Sequence, residues 1–91
     1  MDRKGISHMA NQENLEKYNN AFMEALELSP AELNEKLVYE SVETWDSVGH
    51  MTLVAALEDA FDIMMETDDI IDFSSYEKGK ELLSMNYDVE F

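Results

Sequence analysis

The sequence contains no cysteine, a single proline, three glycines and no arginine beyond Arg3. Without cysteine the fold has no disulfides, and thiolate metal sites and cysteine nucleophiles are excluded. No apolar run approaches the roughly 18 residues that a membrane-spanning helix requires, and no secretory signal pattern is present. These absences predict a cytoplasmic protein whose 91 residues form one small domain around a thin core.

Residues 1–8 differ in composition from the rest and precede a second methionine, Met9, so they are interpreted as an expression-tag remnant. Because they contain Asp2, Arg3 and Lys4, the remaining chain has four lysines against 20 acids, a balance of −16. Nucleic acids and anionic membranes bind through Lys and Arg, so this charge argues against both as partners. It favours protein partners with basic patches, whose association high salt should weaken.

An apolar stripe at helical spacing predicts a first amphipathic helix over residues 14–28. Its members are Leu15, Tyr18, Phe22, Ala25 and Leu26. Ser29, Pro30 and Glu32 then form a capping box, which predicts a short helical turn through Lys36. Residues 37–45 show no period and are interpreted as a long ordered loop. Its inward-facing members are expected to be Leu37, Val42 and Trp45.

Residues 47–61 predict a second helix, which Asp46 or Ser47 can cap. Its core face is formed by Leu53, Val54, Leu57 and Phe61. Acidic residues gather at its C-terminal end, where they oppose the helix dipole, which hints at a purpose other than helix stability. They are Glu58, Asp59 and Asp62.

Two further helices are predicted in the last third of the chain. Residues 67–73 form a short helix capped by Thr67, and a capping box of Ser74 and Glu77 opens a last helix that runs to about Met85. Its inward side chains are expected to be Tyr76, Gly79, Leu82 and Leu83. Residues 86–91 alternate apolar and polar and are interpreted as an extended tail. The predicted fold is all-α, a four-helix bundle of three main helices and one short helix with a long first loop.

The segment over residues 45–63, WDSVGHMTLVAALEDAFDI, resembles the second helix of acyl carrier proteins. That family shows Asp-Ser-Leu at the helix start, a Leu-Glu pair, and Phe-Asp-Ile or a close variant at the end. Here the matching residues are Asp46-Ser47-Val48, Leu53, Leu57-Glu58 and Phe61-Asp62-Ile63. An isolated Asp-Ser is a weak signal, because a serine in the first turn is ordinarily a cap. The match of all these residues together is more specific. The resemblance implies an acyl-carrier-like fold for residues 9–85, followed by the tail.

The resemblance implies that the chain is a carrier and not an enzyme. A phosphopantetheinyl transferase would attach 4′-phosphopantetheine from coenzyme A to Ser47, with Asp46 beside it holding the transferase's metal or capping the helix. An acyl- or aminoacyl-loading ligase would then place cargo on the arm as a thioester. Downstream transferases with basic docking patches would take it on, and the carrier is expected to be a monomer that holds no metal itself.

The family also suggests two residue sets. The partner-docking face would consist of Val48, Met51, Ala55, Glu58, Asp59 and Glu66. An acyl pocket would be lined by Leu57, Met65, Ile70, Phe73 and Gly79. The chain departs from the family pattern near the attachment site, because Val48 replaces the usual leucine and Gly49 and Thr52 stand where many fatty-acid carriers have acids.

Two other functions stay open. An aminoacyl or peptidyl carrier, such as a D-alanyl carrier, would use the same arm with different cargo. An acidic helical interaction module would use no prosthetic group. A hydrolase built on Ser47 and His50 is disfavoured, because both lie on one helical turn without an orienting third group, and His50 is expected to be solvated.

Overall fold

The computed structural model describes the backbone of residues 2–91 and the side chains of residues 12–91. Within that range the chain is all-helical, with four α-helices and no strand. They are α1 (Asp2–Leu26), α2 (Ser47–Phe61), α3 (Thr67–Asp72) and α4 (Tyr76–Asn86). A single 3-10 turn, Pro30–Glu32, interrupts the loop between α1 and α2. No helix in the described part of the chain combines the length and apolarity needed to cross a bilayer.

The predicted pattern of three main helices and one short helix is confirmed, and α2 has the predicted bounds. Helix α1 is longer than predicted because its backbone continues to Asp2. The interpretation of residues 1–8 as a tag remnant lies outside the residues whose side chains are described and stays a prediction. The 3-10 turn ends at Glu32, earlier than expected.

Aromatic side chains fill the core where α1 meets α2 and α4. The ring of Phe22 lies 5.0 Å from that of Tyr18, 5.3 Å from that of Tyr76 and 5.4 Å from that of Trp45, centre to centre. The Tyr18 hydroxyl, buried among these rings, donates to the carbonyl oxygen of Tyr76 at 2.7 Å. At the edge of the core, Asn14 donates to the carbonyl oxygen of Glu90 at 3.0 Å. Leu15 is 36% exposed and lies outside the core, contrary to prediction.

The long loop between α1 and α2 is fixed to both neighbouring helices. Thr44 donates its hydroxyl hydrogen to the carbonyl of Leu26 at 2.6 Å, at the end of α1. At the other side, Tyr39 N donates to Ser74 O and Tyr76 N to Leu37 O, both at 2.9 Å. As predicted, Leu37 and Trp45 are buried within the core.

This pairing moves the start of α4. Because the Ser74 carbonyl is bound to the loop, Ser75 is the N-cap and its hydroxyl accepts from Lys78 N at 2.9 Å, so the predicted Ser74 cap is wrong. The predicted Thr67 cap of α3 is also wrong. The N-cap there is Glu66, whose side chain makes no capping bond.

The C-terminal residues that follow α4 pack back onto the bundle. Val89 is buried, and its N–H donates to Leu83 O at 3.1 Å. The ring of Phe91 lies 5.2 Å from that of Tyr18 and 6.3 Å from that of Phe61. The tail therefore extends the core on the side away from the start of α2.

Candidate functional site

Ser47 is the first residue of α2, and the helix is capped by its neighbour. Asp46 is in an extended conformation, and its Oδ1 accepts from Gly49 N at 2.9 Å. Ser47 itself is exposed, and its hydroxyl has no hydrogen-bond partner among residues 12–91. The capping role that a serine at this position ordinarily serves is therefore taken by Asp46, which leaves the Ser47 hydroxyl free for chemistry.

A cleft of about 360 Å³ opens beside Ser47, between the first turn of α2, the helix α3 and the long loop. Its walls are mainly apolar and include three residues with hydroxyl groups, Tyr39, Ser47 and Ser74. The lining residues are Tyr39, Ser47, His50, Met51, Ile70, Ile71, Phe73 and Ser74. The cleft places a compact apolar surface within reach of whatever the Ser47 hydroxyl carries.

The residues proposed for an acyl pocket fall into two groups. Ile70 and Phe73 line the cleft beside Ser47. Leu57 and Met65 lie in the closed core, away from the cleft. A Cβ on Gly79 would stand 2.1 Å from Tyr18 Oη and 2.2 Å from Phe73 Cζ, so the space that this glycine leaves is filled by aromatic rings.

Most of the predicted docking residues share the open face of α2. Val48 is 73% exposed and Met51 54%, and Ala55 and Asp59 are exposed further along the helix. Glu66 is exposed in the loop before α3.

Glu58 differs from the other docking candidates. Its Oε2 accepts from Met65 N at 2.9 Å, so this half-buried carboxylate fixes the loop between α2 and α3. This bond supplies a structural reason for an acid at the C-terminal end of α2, where the helix dipole disfavours it.

Gly49 has a steric reason to depart from the acyl carrier pattern. A Cβ at this position would lie 1.9 Å from the carbonyl oxygen of Thr44, a backbone atom that a side chain cannot displace cheaply. The loop passes so close to the first turn of α2 that an acidic side chain could not be accommodated there. The packing of this loop therefore excludes a charged side chain at position 49.

His50 is the main residue that sequence reasoning placed wrongly. It is half-buried rather than solvated, and it bonds with both ring nitrogens: Nδ1 lies 2.9 Å from Trp45 Nε1, and Nε2 lies 2.8 Å from Ile70 O. Sequence reasoning also missed Tyr39, whose ring lies 5.5 Å from that of His50. The one sequence signal for the position of His50 was its short spacing from Trp45 at the start of α2, which allows the two side chains to meet.

The elements around the cleft are strongly acidic. Between Asp46 and Ser75 the sequence has eight acids and no lysine or arginine. Lys78 and Lys80, the nearest lysines along the chain, form ion pairs within α4, 3.6 Å from Glu81 and 3.3 Å from Glu77. Among residues 12–91 no cluster of three side chains suited to a metal ion occurs.

Comparisons of the chain with protein-family models, with curated proteins and with solved structures find no match.

Proposed function

We propose that the chain is an acyl carrier protein that holds its cargo as a thioester on 4′-phosphopantetheine attached to Ser47. The observation that carries this proposal is the free hydroxyl of Ser47 at the head of α2, released from capping by Asp46. Further support comes from the apolar cleft beside it, which offers space to an arm or its cargo. The acidic character of α2 and α3 suits enzymes with basic docking patches.

The attachment would be a phosphoryl transfer to a side chain in a favourable position. Ser47 Oγ would form the new bond to the β-phosphorus of coenzyme A, 3′,5′-adenosine bisphosphate would leave, and the hydroxyl proton would pass to the transferase or solvent. The first backbone N–H groups of a helix lack intrahelical partners, and the helix dipole favours negative charge there. The phosphodiester would therefore be stabilised although no lysine or arginine lies between residues 46 and 75.

Intact mass spectrometry tests the proposal directly. The purified chain is incubated with coenzyme A, Mg²⁺ and a phosphopantetheinyl transferase of broad specificity, and it should gain the mass of one phosphopantetheinyl group. Ser47→Ala should gain nothing. Ser74→Ala is the matched control, because Ser74 lines the same cleft, and it should be modified like the wild type. A wild-type chain that stays unmodified, or a Ser47→Ala chain that is modified, would overturn the proposal.

The stability of the same variants separates function from capping. Ser47→Ala should change the free energy of unfolding by less than about 0.5 kcal/mol, because Asp46 supplies the cap. Asp46→Ala should cost about 1 kcal/mol, the usual value of a lost N-cap. Urea unfolding of both variants gives the comparison. A larger loss in Ser47→Ala than in Asp46→Ala would assign Ser47 a structural role.

Offering the modified chain to fatty-acyl and amino-acid loading enzymes, with mass as the readout, then separates an acyl carrier from an aminoacyl or D-alanyl carrier. Under the proposal the acyl cargo is accepted. Failure of every transferase to modify the wild type would instead favour the acidic interaction module.

A further inference from the structure

Helix α3 forms one wall of the cleft yet buries none of its six residues. Ile70 is half-buried, and Ile71 is 71% exposed. Polar contacts therefore contribute much of its attachment. The carbonyl oxygen of Ile70 is bound by His50 on α2, and the carboxylate of its neighbour Asp69 accepts from Asn86 and Tyr87 at the end of α4. An element held mainly by a few hydrogen bonds opens locally at a smaller cost in free energy than the core, and the loss of one of these bonds lowers that cost further.

The partners of His50 fix its protonation. The indole Nε1 of Trp45 can only donate, so His50 Nδ1 must accept from it and carries no hydrogen. The carbonyl oxygen of Ile70 can only accept, so His50 Nε2 must carry the hydrogen and donate it. The geometry thus requires the neutral imidazole with its hydrogen on Nε2.

A second proton on this ring has no acceptor. An imidazolium would place Nδ1–H against the indole N–H of Trp45, donor against donor. Trp45 cannot give way easily, because it is fully buried with its ring against those of Phe22 and Phe73. His50 is only half-buried, so the imidazolium ring would move towards solvent and release Ile70.

Several other ionisable groups lie on the elements that contact this ring. From the loop Tyr39 faces it, and Glu40 and Glu43 are exposed on the same loop. Asp46, the N-cap of α2, lies one turn before it with its carboxylate bound to Gly49 N. On α3 the acids are Asp68, Asp69 and Asp72, of which Asp69 is bound to Asn86 and Tyr87. On α4 the nearest charged side chains in sequence are Glu77 and Lys78.

We infer that His50 is a proton-sensitive latch: the neutral ring ties α3 to Trp45 across the cleft, and protonation frees α3 and widens the cleft beside Ser47. His50 is then a positioning residue that acts through α3. The inference goes beyond the proposed carrier function and does not need it, since the latch operates in the unmodified chain.

Nuclear magnetic resonance tests the latch in the full-length unmodified chain. Trp45 is the only tryptophan and His8 the only other histidine, so a His8→Gln background leaves one indole and one imidazole signal. At pH 7.5 the ¹⁵N shifts of His50 should report the hydrogen on Nε2. On acidification to pH 5.5 the Trp45 indole resonance should shift with the same midpoint as the His50 ring protons.

Hydrogen exchange of the α3 amides provides the second readout. After correction for intrinsic rates, exchange at pH 5.5 should be about fivefold faster than at pH 7.5, the effect of losing one hydrogen bond of ordinary strength. His50→Gln should abolish this response to pH. Trp45→Phe should reduce it, because the opposing N–H is gone.

Three results would overturn the latch. The first is a His50 ring that stays neutral down to pH 5.5. The second is a ring that gains a proton while the Trp45 indole resonance and the exchange of the α3 amides stay unchanged. The third is a pH response of α3 exchange that persists in His50→Gln, which would assign the response to the carboxylates of α3.

Discussion

The packing of α1 against α4 and the attachment of α3 differ in kind. Between α1 and α4, Tyr18, Phe22 and Tyr76 form a buried cluster whose ring centres lie 5.0–5.3 Å apart. The tail adds the buried side chain of Val89 on the same side. Helix α3 has no buried residue, and hydrogen bonds from the adjacent residues Asp69 and Ile70 attach it to the end of α4 and to α2.

The aromatic cluster between α1 and α4 stabilises the domain, whereas α3 shapes the cleft beside Ser47. Burial of large aromatic side chains contributes several kcal/mol each, whereas an exposed hydrogen bond contributes about 1 kcal/mol or less. The aromatic cluster should therefore unfold only with the whole domain, while α3 should open locally at a smaller cost in free energy. The cleft beside Ser47 borders this less firmly attached element, so a local opening of α3 would change the shape of the cleft.

The largest effect is expected from Phe22→Ala at the centre of the aromatic cluster. Phe22 is fully buried and contacts the rings of Tyr18, Trp45, Phe73 and Tyr76. Its truncation should lower the free energy of unfolding by about 3–5 kcal/mol, a large part of the total for so small a domain. Urea unfolding followed by circular dichroism measures the loss.

Ile71→Ala is the matched control on α3. Ile71 is largely exposed, so its truncation should change the free energy of unfolding by less than about 0.5 kcal/mol. Similar losses in the two variants would contradict the division into a stabilising cluster and a weakly attached helix.

An alkaline pH should weaken the aromatic cluster, and with it the whole domain. Burial, and then the proximity of Tyr76 and Glu77, raise the pKa of the Tyr18 hydroxyl well above its ordinary value of 10. The stability that the protonated Tyr18 contributes is fully present below about pH 10, where both folded and unfolded chains keep the proton. Above that pH the unfolded chain releases the proton first, so stability falls by about 1.4 kcal/mol per pH unit for this group.

Urea unfolding between pH 8 and pH 11 measures this dependence. Burial also raises the pKa of Tyr76, so the wild type should lose stability through more than one tyrosine. The free energy of unfolding of Tyr18→Phe should fall less steeply with pH than that of the wild type, and above pH 10 the difference in slope should approach the value for one proton. Parallel slopes for the two proteins would show that Tyr18 does not keep its proton in the folded chain.

The same contrast explains how much the sequence could predict. Helix α2 was predicted with correct bounds, because an apolar stripe and an N-terminal Asp46 are local signals. The burial of Phe22 and Tyr76 followed from helical spacing in the same way. The bounds of α2 and the burial of these two rings depend on features that helical spacing and side-chain type indicate well.

The missed features depend on contacts between distant segments. The bond from Tyr39 N to Ser74 O shifts the cap of α4 by one residue, and nothing within the local sequence reports it. The bond from His50 to Ile70 joins residues 20 positions apart, and hydrophobic period carries no information about it. The free Ser47 hydroxyl could be predicted only in part. The sequence indicated that either Asp46 or Ser47 caps α2, and the structure shows that Asp46 does.

The smallest global effect is expected from Tyr87→Phe, which weakens the attachment of α3 to the end of α4 and leaves the bond from Asn86 to Asp69 in place. The Tyr87 hydroxyl accepts from Glu66 N and donates to Asp69 Oδ2, both at 2.7 Å. Without it, the α3 amides should exchange up to about fivefold faster, because one or two modest hydrogen bonds are lost. The free energy of unfolding should change by less than about 0.5 kcal/mol, because Tyr87 is only half-buried and its ring remains.

Hydrogen exchange and urea unfolding of the same Tyr87→Phe sample decide whether α3 opens separately from the rest of the domain. Faster exchange confined to residues 66–72, with an unchanged urea midpoint, would establish α3 as its own opening unit. A fall in the midpoint that matches the rise in exchange would mean that α3 unfolds only with the aromatic cluster. In that case the cleft could not widen on its own, and the contrast between the two regions would describe their contacts but not their motions.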